Sequence, residues 1–268
     1  MVGPMIKIVL LALLTTTAVA VAQTQDDVIH AKVLSGWRMD DGHYMAGLQL
    51  ALAPDWKTYW RSPGEAGIPP VFDWSGSHNV ASVQLHWPNP TVFEINGLRS
   101  IGYLNGVVLP VEITPVDPAL PVDLVLQLQV GVCHDICMPA NLKLAGRLEG
   151  AGARDQSITA ALNDGPVTAT AAGLRGIGCD LAAIDDGLHI TAHMTLPELG
   201  GEETVVFETA NPAVWVASAE ANRSGGVLTA STDLVPPNGT AFSLDRSTVT
   251  VTVLSHGHSV EIKGCPAP

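Results

Sequence analysis

Two cysteines separated by three residues, Cys133 and Cys137, are the residues whose type and spacing best suit chemistry. They end an apolar, strand-like run that begins near Leu128, and Pro139 closes the segment. Four residues of extended chain span about 13 Å, whereas the Cα atoms of two bonded cysteines lie about 4.4–6.8 Å apart. We therefore expect the segment to bend into a turn or a single helical turn if the two sulfurs are bonded.

The four cysteines of the chain divide into this close pair and a distant pair, Cys179 and Cys265. Closing the long loop of the distant pair should stabilise the folded chain by about 4.6 kcal/mol, and closing the short loop by only about 2 kcal/mol before strain. The distant pair is therefore predicted to be a structural disulfide that ties the two ends of a second domain. A small strained loop is easier to reduce, which suits a disulfide that opens and closes during function.

Three interpretations of the close pair stay open from the residues alone. We favour reversible thiol–disulfide exchange, in which a thiolate attacks a partner's disulfide and the second cysteine resolves the mixed disulfide. Such chemistry needs no metal and no other cofactor, and we predict none. The pair could instead bind Cu(I), or be a permanent clip on a bend, because Cys-x-x-x-Cys is a weak motif. The ligands for Cu(I) would be Cys133, Cys137, Met138 and His134.

The start of the chain has the pattern of a secretory signal peptide. Lys7 supplies the positive charge, Ile8–Leu14 the short apolar core, and Ala20-Val21-Ala22 the small-residue cleavage site. Residues 1–22 are therefore predicted to be removed after Ala22, which places the protein in the periplasm or another oxidising compartment where disulfides persist. With 26 acidic against 13 basic residues, a net charge of −13, the chain should not bind nucleic acid.

Composition and length predict an all-β protein of two sandwiches in tandem. Val, Thr, Gly and Pro recur in short runs between turn signals, and 268 residues exceed what a single hydrophobic core usually serves. We expect a first domain over residues 23–150, a linker with a short helix over 151–166, and a second domain over 167–268. The stretch from Asn89 to Ser100 is predicted to be a loop, and Thr240–Leu244 a strand of the second domain.

Several segments resemble the N-terminal periplasmic region of the DsbD family of disulfide reductases, and most of all its ScsB branch, which is linked to copper tolerance. The resemblance covers residues from about 28 to 148 well and the second domain more loosely. The segments are Asp55–Pro70, Phe72–Ser77, Gly102-Tyr103 and Val132–Pro139.

The resemblance implies an immunoglobulin-like first domain that acts as a thiol–disulfide oxidoreductase component. Cys133 and Cys137 would take electrons from a membrane-embedded thiol–disulfide carrier and pass them to oxidised, thioredoxin-like periplasmic proteins. It also implies that Asn89–Ser100 is a cap loop whose Phe93 shields the pair from stray oxidants, and that Tyr59 lines the pair. The carrier segment of the family has no counterpart before Pro268. We therefore expect either that a separate membrane protein reduces this one, or that the domain has been reassigned. The alternative function is a Cu(I)-binding or non-catalytic periplasmic interaction module.

Overall fold

A computed structural model describes residues 24–95, 97–240 and 242–268. The predicted signal peptide lies outside these described residues. Antiparallel sheets dominate the described chain and its few helices are short, so the prediction of an all-β fold is confirmed. Within the same ranges, no helix has the length and apolar character needed to cross a membrane.

The first sandwich is formed by residues 29–148, after a short helix α1 (Gln25–Val28). One sheet has the strand order β1-β2-β8-β5, and the other has the order β10-β9-β3-β7-β6 with β4 also paired to β9. The strands are β1 (Ile29–Arg38), β2 (Tyr44–Leu52), β3 (Lys57–Tyr59), β4 (Val71–Asp73), β5 (Val80–Leu85), β6 (Thr91–Ile95), β7 (Leu98–Leu104), β8 (Gly106–Pro115), β9 (Val122–Cys133) and β10 (Cys137–Leu148).

Strand β9 shows how the sequence builds the core of this sandwich. Successive residues of a strand point to opposite sides of its sheet, and every second residue from Val122 to Val132 is apolar and buried. These side chains pack against Leu48, Leu109 and Ile113 of the facing sheet. The alternation leaves Gly131 and Cys133 on the outer face of β9, away from the core.

Helix α2 (Gln156–Asn163) connects the two sandwiches and packs on the outer face of the first sheet. Asp155 precedes it, and the Asp155 carboxylate accepts hydrogen bonds from the backbone N–H groups of Ser157 and Ile158, which is the usual N-cap arrangement. Ile158 is fully buried in a small cluster with Trp37 and Met45. The cap and this contact hold a helix of only eight residues in place.

The second sandwich also has two sheets around one core. Their strand orders are β11-β19-β18-β14 and β12-β13-β17-β15, and β16 pairs with β17 as well. Cys179 and Cys265 are bonded within this core, both fully buried and with Cα atoms 5.5 Å apart. The strands are β11 (Val167–Thr168), β12 (Gly176–Ile184), β13 (Gly187–Thr195), β14 (Thr204–Glu208), β15 (Trp215–Val216), β16 (Glu220–Ser224), β17 (Val227–Val235), β18 (Thr250–Ser255) and β19 (His258–Lys263).

Two local predictions are wrong. The stretch Asn89–Ser100 is not a loop, because most of it forms the hairpin of β6 and β7, in which Phe93 and Ser100 are Cα partners. The prolines at 88 and 90 precede the hairpin, and Gly97 supplies the positive φ of its turn. The strand predicted at 240–244 is also absent, since the described residues 242–244 pair with no strand. Phe242 and Leu244 instead pack against the edge of the second core.

The two sandwiches are joined by an apolar cluster and by a charged one. Trp60, Ile101 and Tyr103 of the first sandwich bury Leu254 of the second. Beside them, the guanidinium of Arg61 donates to both carboxylate oxygens of Glu208, at 2.9 and 3.0 Å from Nε and Nη2, and to Glu261 at 2.8 Å. Because Trp60 and Arg61 directly follow strand β3, this strand links the outer face of the first sandwich to the second sandwich.

Candidate functional site

The close cysteine pair closes the hairpin between β9 and β10. Cys133 is the last residue of β9 and Cys137 the first of β10; they are register partners, bonded, with Cα atoms 4.1 Å apart. His134, Asp135 and Ile136 form the loop, and the His134 N–H donates to the Ile136 carbonyl at 3.0 Å. The expected bend is therefore the end of a β-hairpin and not a helical turn.

The two sulfurs differ in their exposure to solvent. Cys133 is fully buried, whereas Cys137 is exposed. The neighbouring Ile136 is 64% exposed, so an apolar side chain stands beside the accessible sulfur. Thiol–disulfide exchange requires a partner's sulfur to approach in line with the bond that breaks. Only Cys137 offers such an approach in this conformation.

Tyr59 contacts both sulfurs from strand β3. Its hydroxyl oxygen lies 2.8 Å from Cys133 Sγ and 3.5 Å from Cys137 Sγ, and it also donates to the Ala66 carbonyl at 3.3 Å. Burial raises the pKa of Tyr59 above its ordinary value, so the phenol keeps its proton at neutral pH. A protonated phenol can donate a hydrogen bond to a sulfur that becomes a thiolate.

The segment from Ser62 to Pro70 covers the outer face of the sheet next to Tyr59. The Ala66 N–H donates to the Arg99 carbonyl at 3.2 Å, and the Ile101 N–H donates to the Pro63 carbonyl at 2.8 Å. These bonds attach the segment to β7. The segment therefore forms one wall of the site, and the exposed hairpin loop forms its open side.

A third side chain on the same sheet face, Lys57, was not singled out from the sequence. Lys57 is a register partner of Cys133 and is buried; its Nζ lies 3.4 Å from Ser100 Oγ and 5.1 Å from the centroid of the Phe93 ring. Burial lowers the pKa of Lys57. The sequence could have indicated that Lys57 lies near the cysteine pair, because Lys57 stands two residues before Tyr59 and residues i and i+2 of a strand share a face.

Phe93 also lies on the sheet face that carries Tyr59. Tyr59 pairs with Gly102 and Gly102 with Thr91, so Phe93, two residues after Thr91, points to the same side. Its ring is half-buried and packs over the Lys57 ammonium. The hairpin that carries Phe93 is therefore placed beside the disulfide, with Lys57 between the ring and the β9 strand.

The proposed Cu(I) ligands do not meet at one point. Met138 is a register partner of Val132 and packs against the core, on the opposite face of β10 from Cys137. The His134 ring pairs with the Asp135 carboxylate at 3.0 Å and stands 6.0 Å from the Trp56 ring. The two sulfurs are bonded to each other, so a metal could use them only after reduction.

The first domain is a β-sandwich, and its hairpin disulfide has one buried and one exposed sulfur. These features define the class of immunoglobulin-like domains that carry a disulfide at their surface. The profile of the family described as "Thiol:disulfide interchange protein DsbD, N-terminal" matches residues 20–148, so this part of the chain is similar to that family. The family resemblance inferred from the sequence is thereby confirmed.

The fold of the chain is also similar to a solved structure, titled the N-terminal periplasmic domain of ScsB from Proteus mirabilis. The TM-score is 0.67 at 23% sequence identity, and the match covers 92% of this chain and 96% of that chain. The similarity therefore includes both sandwiches. A comparison with curated protein sequences gave no significant match.

Proposed function

We propose that this protein is a periplasmic thiol–disulfide interchange domain that passes reducing equivalents from a membrane-embedded thiol–disulfide carrier to oxidised, thioredoxin-like proteins. The observation that carries the proposal is the pairing of an exposed Cys137 with a buried Cys133 beside the Tyr59 hydroxyl. One sulfur is accessible to a partner, and the other is held where it can resolve the resulting bond. The match of residues 20–148 to the DsbD N-terminal family supports the same chemistry.

The reaction begins with both cysteines reduced. The Cys137 thiolate attacks one sulfur of a partner's disulfide, a Cys137–partner bond forms, and the partner's second sulfur leaves as a thiolate that takes up a proton. The Cys133 thiolate then attacks Cys137 Sγ, which reforms the intramolecular disulfide and releases the partner with both of its cysteines reduced. Two electrons pass to the partner, and the carrier restores the reduced pair by the reverse sequence of steps.

Two further observations support a periplasmic location. The signal-peptide pattern of residues 1–22 agrees with export, and the similar ScsB structure is titled a periplasmic domain. A role in copper tolerance belongs to the same proposal, because Cu(II) oxidises protein thiols to disulfides that such a domain would reduce.

Single cysteine variants test the proposal directly. Cys133→Ser leaves the exposed Cys137 thiol, and Cys137→Ser leaves the buried Cys133 thiol; each variant keeps the distant disulfide and has the same number of cysteines. We expect Cys133→Ser to form mixed disulfides with an oxidised thioredoxin-like protein, preserved by acid quenching and thiol alkylation before the partner's freed thiolate reverses the step, and detected by non-reducing electrophoresis and mass spectrometry. Cys137→Ser should form at least about tenfold less, because its sulfur is enclosed.

The wild-type chain serves as the control, since its resolving cysteine should prevent accumulation of the mixed disulfide. Equal trapping by the two variants would contradict the assignment of Cys137 as the attacking residue. A Cys133–Cys137 bond that resists mild reductant in the folded protein would contradict the proposed function itself.

A further inference from the structure

A second cluster of reactive side chains lies on the outer face of the sheet β1-β2-β8-β5. Glu112 is on β8, and its Cα partners are Met45 of β2 on one side and Gln84 of β5 on the other. His43 stands two residues before Met45, and His86 two residues after Gln84. Both histidines are therefore diagonal neighbours of Glu112 on the same face.

The Glu112 carboxylate lies between the two imidazoles. His43 Nδ1 is 2.9 Å from Glu112 Oε1, and His86 Nε2 is 2.9 Å from Glu112 Oε2. Asp41 completes the group, with its Oδ2 at 3.8 Å from His43 Nδ1. Two nitrogen donors and two carboxylates from three neighbouring stretches of chain thus meet at one place.

Backbone hydrogen bonds hold the two histidines in position. The Met39 N–H donates to the His43 carbonyl at 2.8 Å, and the His86 N–H donates to the Pro110 carbonyl at 2.9 Å. The His43 N–H donates to Asp41 Oδ1 at 3.0 Å, which leaves Asp41 Oδ2 facing the imidazole. The side chains of His43, His86 and Glu112 are 31%, 32% and 23% exposed, so an ion from solvent can reach them.

We propose that Asp41, His43 and Glu112 form a binding site for a divalent transition-metal ion such as Zn²⁺, and that His86 orients the Glu112 carboxylate. The donor atoms of the three ligands all lie within 4.8 Å of one another. Ligand atoms about 2.0–2.2 Å from a tetrahedral Zn²⁺ are about 3.5 Å apart, so small side-chain rotations complete the site. Imidazole nitrogen with carboxylate oxygen is a donor set that Zn²⁺ and similar ions accept.

His86 has a distinct task in this arrangement. Its bond to Glu112 Oε2 keeps Oε1 directed at His43, as the outer-shell partners of metal-binding carboxylates usually do. The site lies apart in sequence from the cysteine pair, and its donors are nitrogen and oxygen instead of sulfur. It does not depend on the proposed exchange function.

Titration of the full chain with Zn²⁺ tests the site. The protein is first fully oxidised, so that both cysteine pairs are closed and no thiol competes for the ion. Isothermal calorimetry should then show one Zn²⁺ bound per chain. His43→Gln and Glu112→Gln should each weaken binding by at least about tenfold, and His86→Gln by a smaller factor, because losing a ligand costs more than losing its support.

His189→Gln is the matched control, because His189 is also a partly exposed histidine on a strand face, with Nδ1 at 2.6 Å from an Asp233 carboxylate oxygen. It should bind Zn²⁺ as the wild type does. A thermal melt of each variant with and without Zn²⁺ separates lost binding from lost folding, since a bound ion raises Tm only where the site is intact. Absence of Zn²⁺ binding, or binding unchanged in both His43→Gln and Glu112→Gln, would overturn the proposal.

Discussion

Gly131 and Tyr59 fit together because residue 131 has no side chain. A Cβ atom at this position would stand 2.9 Å from Tyr59 Cε2 and 3.0 Å from the Cβ of Ile68. The missing atom lets the Tyr59 ring approach β9 closely, with its hydroxyl in contact with both sulfurs of the close pair. A backbone feature of one strand therefore sets the position of a side chain on the next.

Gly131→Ala should destabilise the protein and displace Tyr59 from the sulfurs. Inserting a methyl group into a filled space typically costs about 1–3 kcal/mol, which urea unfolding will measure. Gly176→Ala is the control, because a Cβ at that strand position meets nothing within 4 Å. The packing argument fails if the two substitutions change the free energy of unfolding equally.

Tyr59→Phe should make the close pair harder to reduce. The hydroxyl can donate a hydrogen bond to a thiolate, and such a bond to a charged group is worth about 1.5–3 kcal/mol. Its loss should therefore lower the reduction potential by about 30 mV or more, measured by equilibration in glutathione buffers. Tyr103→Phe is the control, since its buried hydroxyl donates to the Pro88 carbonyl instead. An unchanged potential in Tyr59→Phe would argue against the thiolate contact.

Phe93→Ala should speed the oxidation of the reduced pair by small oxidants such as hydrogen peroxide. The ring lies on the sheet face that carries the disulfide and packs over Lys57, so its removal opens that face to solvent. Loss of free thiols with time is the measurement. Leu98→Ala, an exposed position in the same hairpin, should leave the rate unchanged. Equal oxidation rates for Phe93→Ala and the wild type would contradict the proposal that Phe93 shields the pair.

Arg61→Ala should weaken the contact between the two sandwiches. The substitution leaves Glu208 and Glu261 close together without their shared cation, at positions that are less than a quarter exposed. Breaking a largely enclosed ion pair should cost about 2 kcal/mol or more, and calorimetric unfolding should broaden or split into two transitions. Arg147→Ala is the control, because its two carboxylate partners lie in solvent. A single unshifted transition for Arg61→Ala would contradict this role.

Asp155→Ala should destabilise helix α2 in a pH-dependent way. Hydrogen bonds from Ser157 and from the Ile158 N–H lower the pKa of Asp155 below its ordinary 3.8. The stabilisation is therefore present above pH 3.8 and is lost as the pH falls through the lowered pKa. The cost of the substitution should be about 1 kcal/mol at pH 7, as for other N-caps, and should shrink toward pH 3.

Asp155→Asn is the control for that prediction, because asparagine caps a helix about as well but does not titrate. Urea unfolding at pH 7 and at pH 3 gives the comparison. If Asp155→Ala lowers the free energy of unfolding equally at both pH values, the charge of the cap does not contribute to the stability of helix α2.

Much of the fold is encoded locally, and this part could be predicted from the sequence. When apolar residues alternate with polar ones, as in β9, the apolar side chains share one face only if the chain is an extended strand. The all-β class therefore follows from the pattern itself. The hairpin of β6 and β7 has no such clear local pattern, because two prolines, which favour a loop, directly precede the strand-forming residues Thr91, Val92 and Phe93. Only pairing with β3 makes this hairpin part of the sheet.

The amino-acid sequence by itself determined the spacing of the two cysteine pairs, the need for a bend at Cys133–Cys137 and the family resemblance of the first sandwich. Only the tertiary structure decided that Cys137 is exposed and that Glu112 stands between His43 and His86. It also gave the distances from the Tyr59 hydroxyl to the two sulfurs, where the resemblance had implied only that Tyr59 lines the pair. The physical reason is that exposure and side-chain contact depend on which strands become neighbours. Strand neighbours are chosen by the packing of whole sheets, and residues far apart in the chain carry no local sign of that choice.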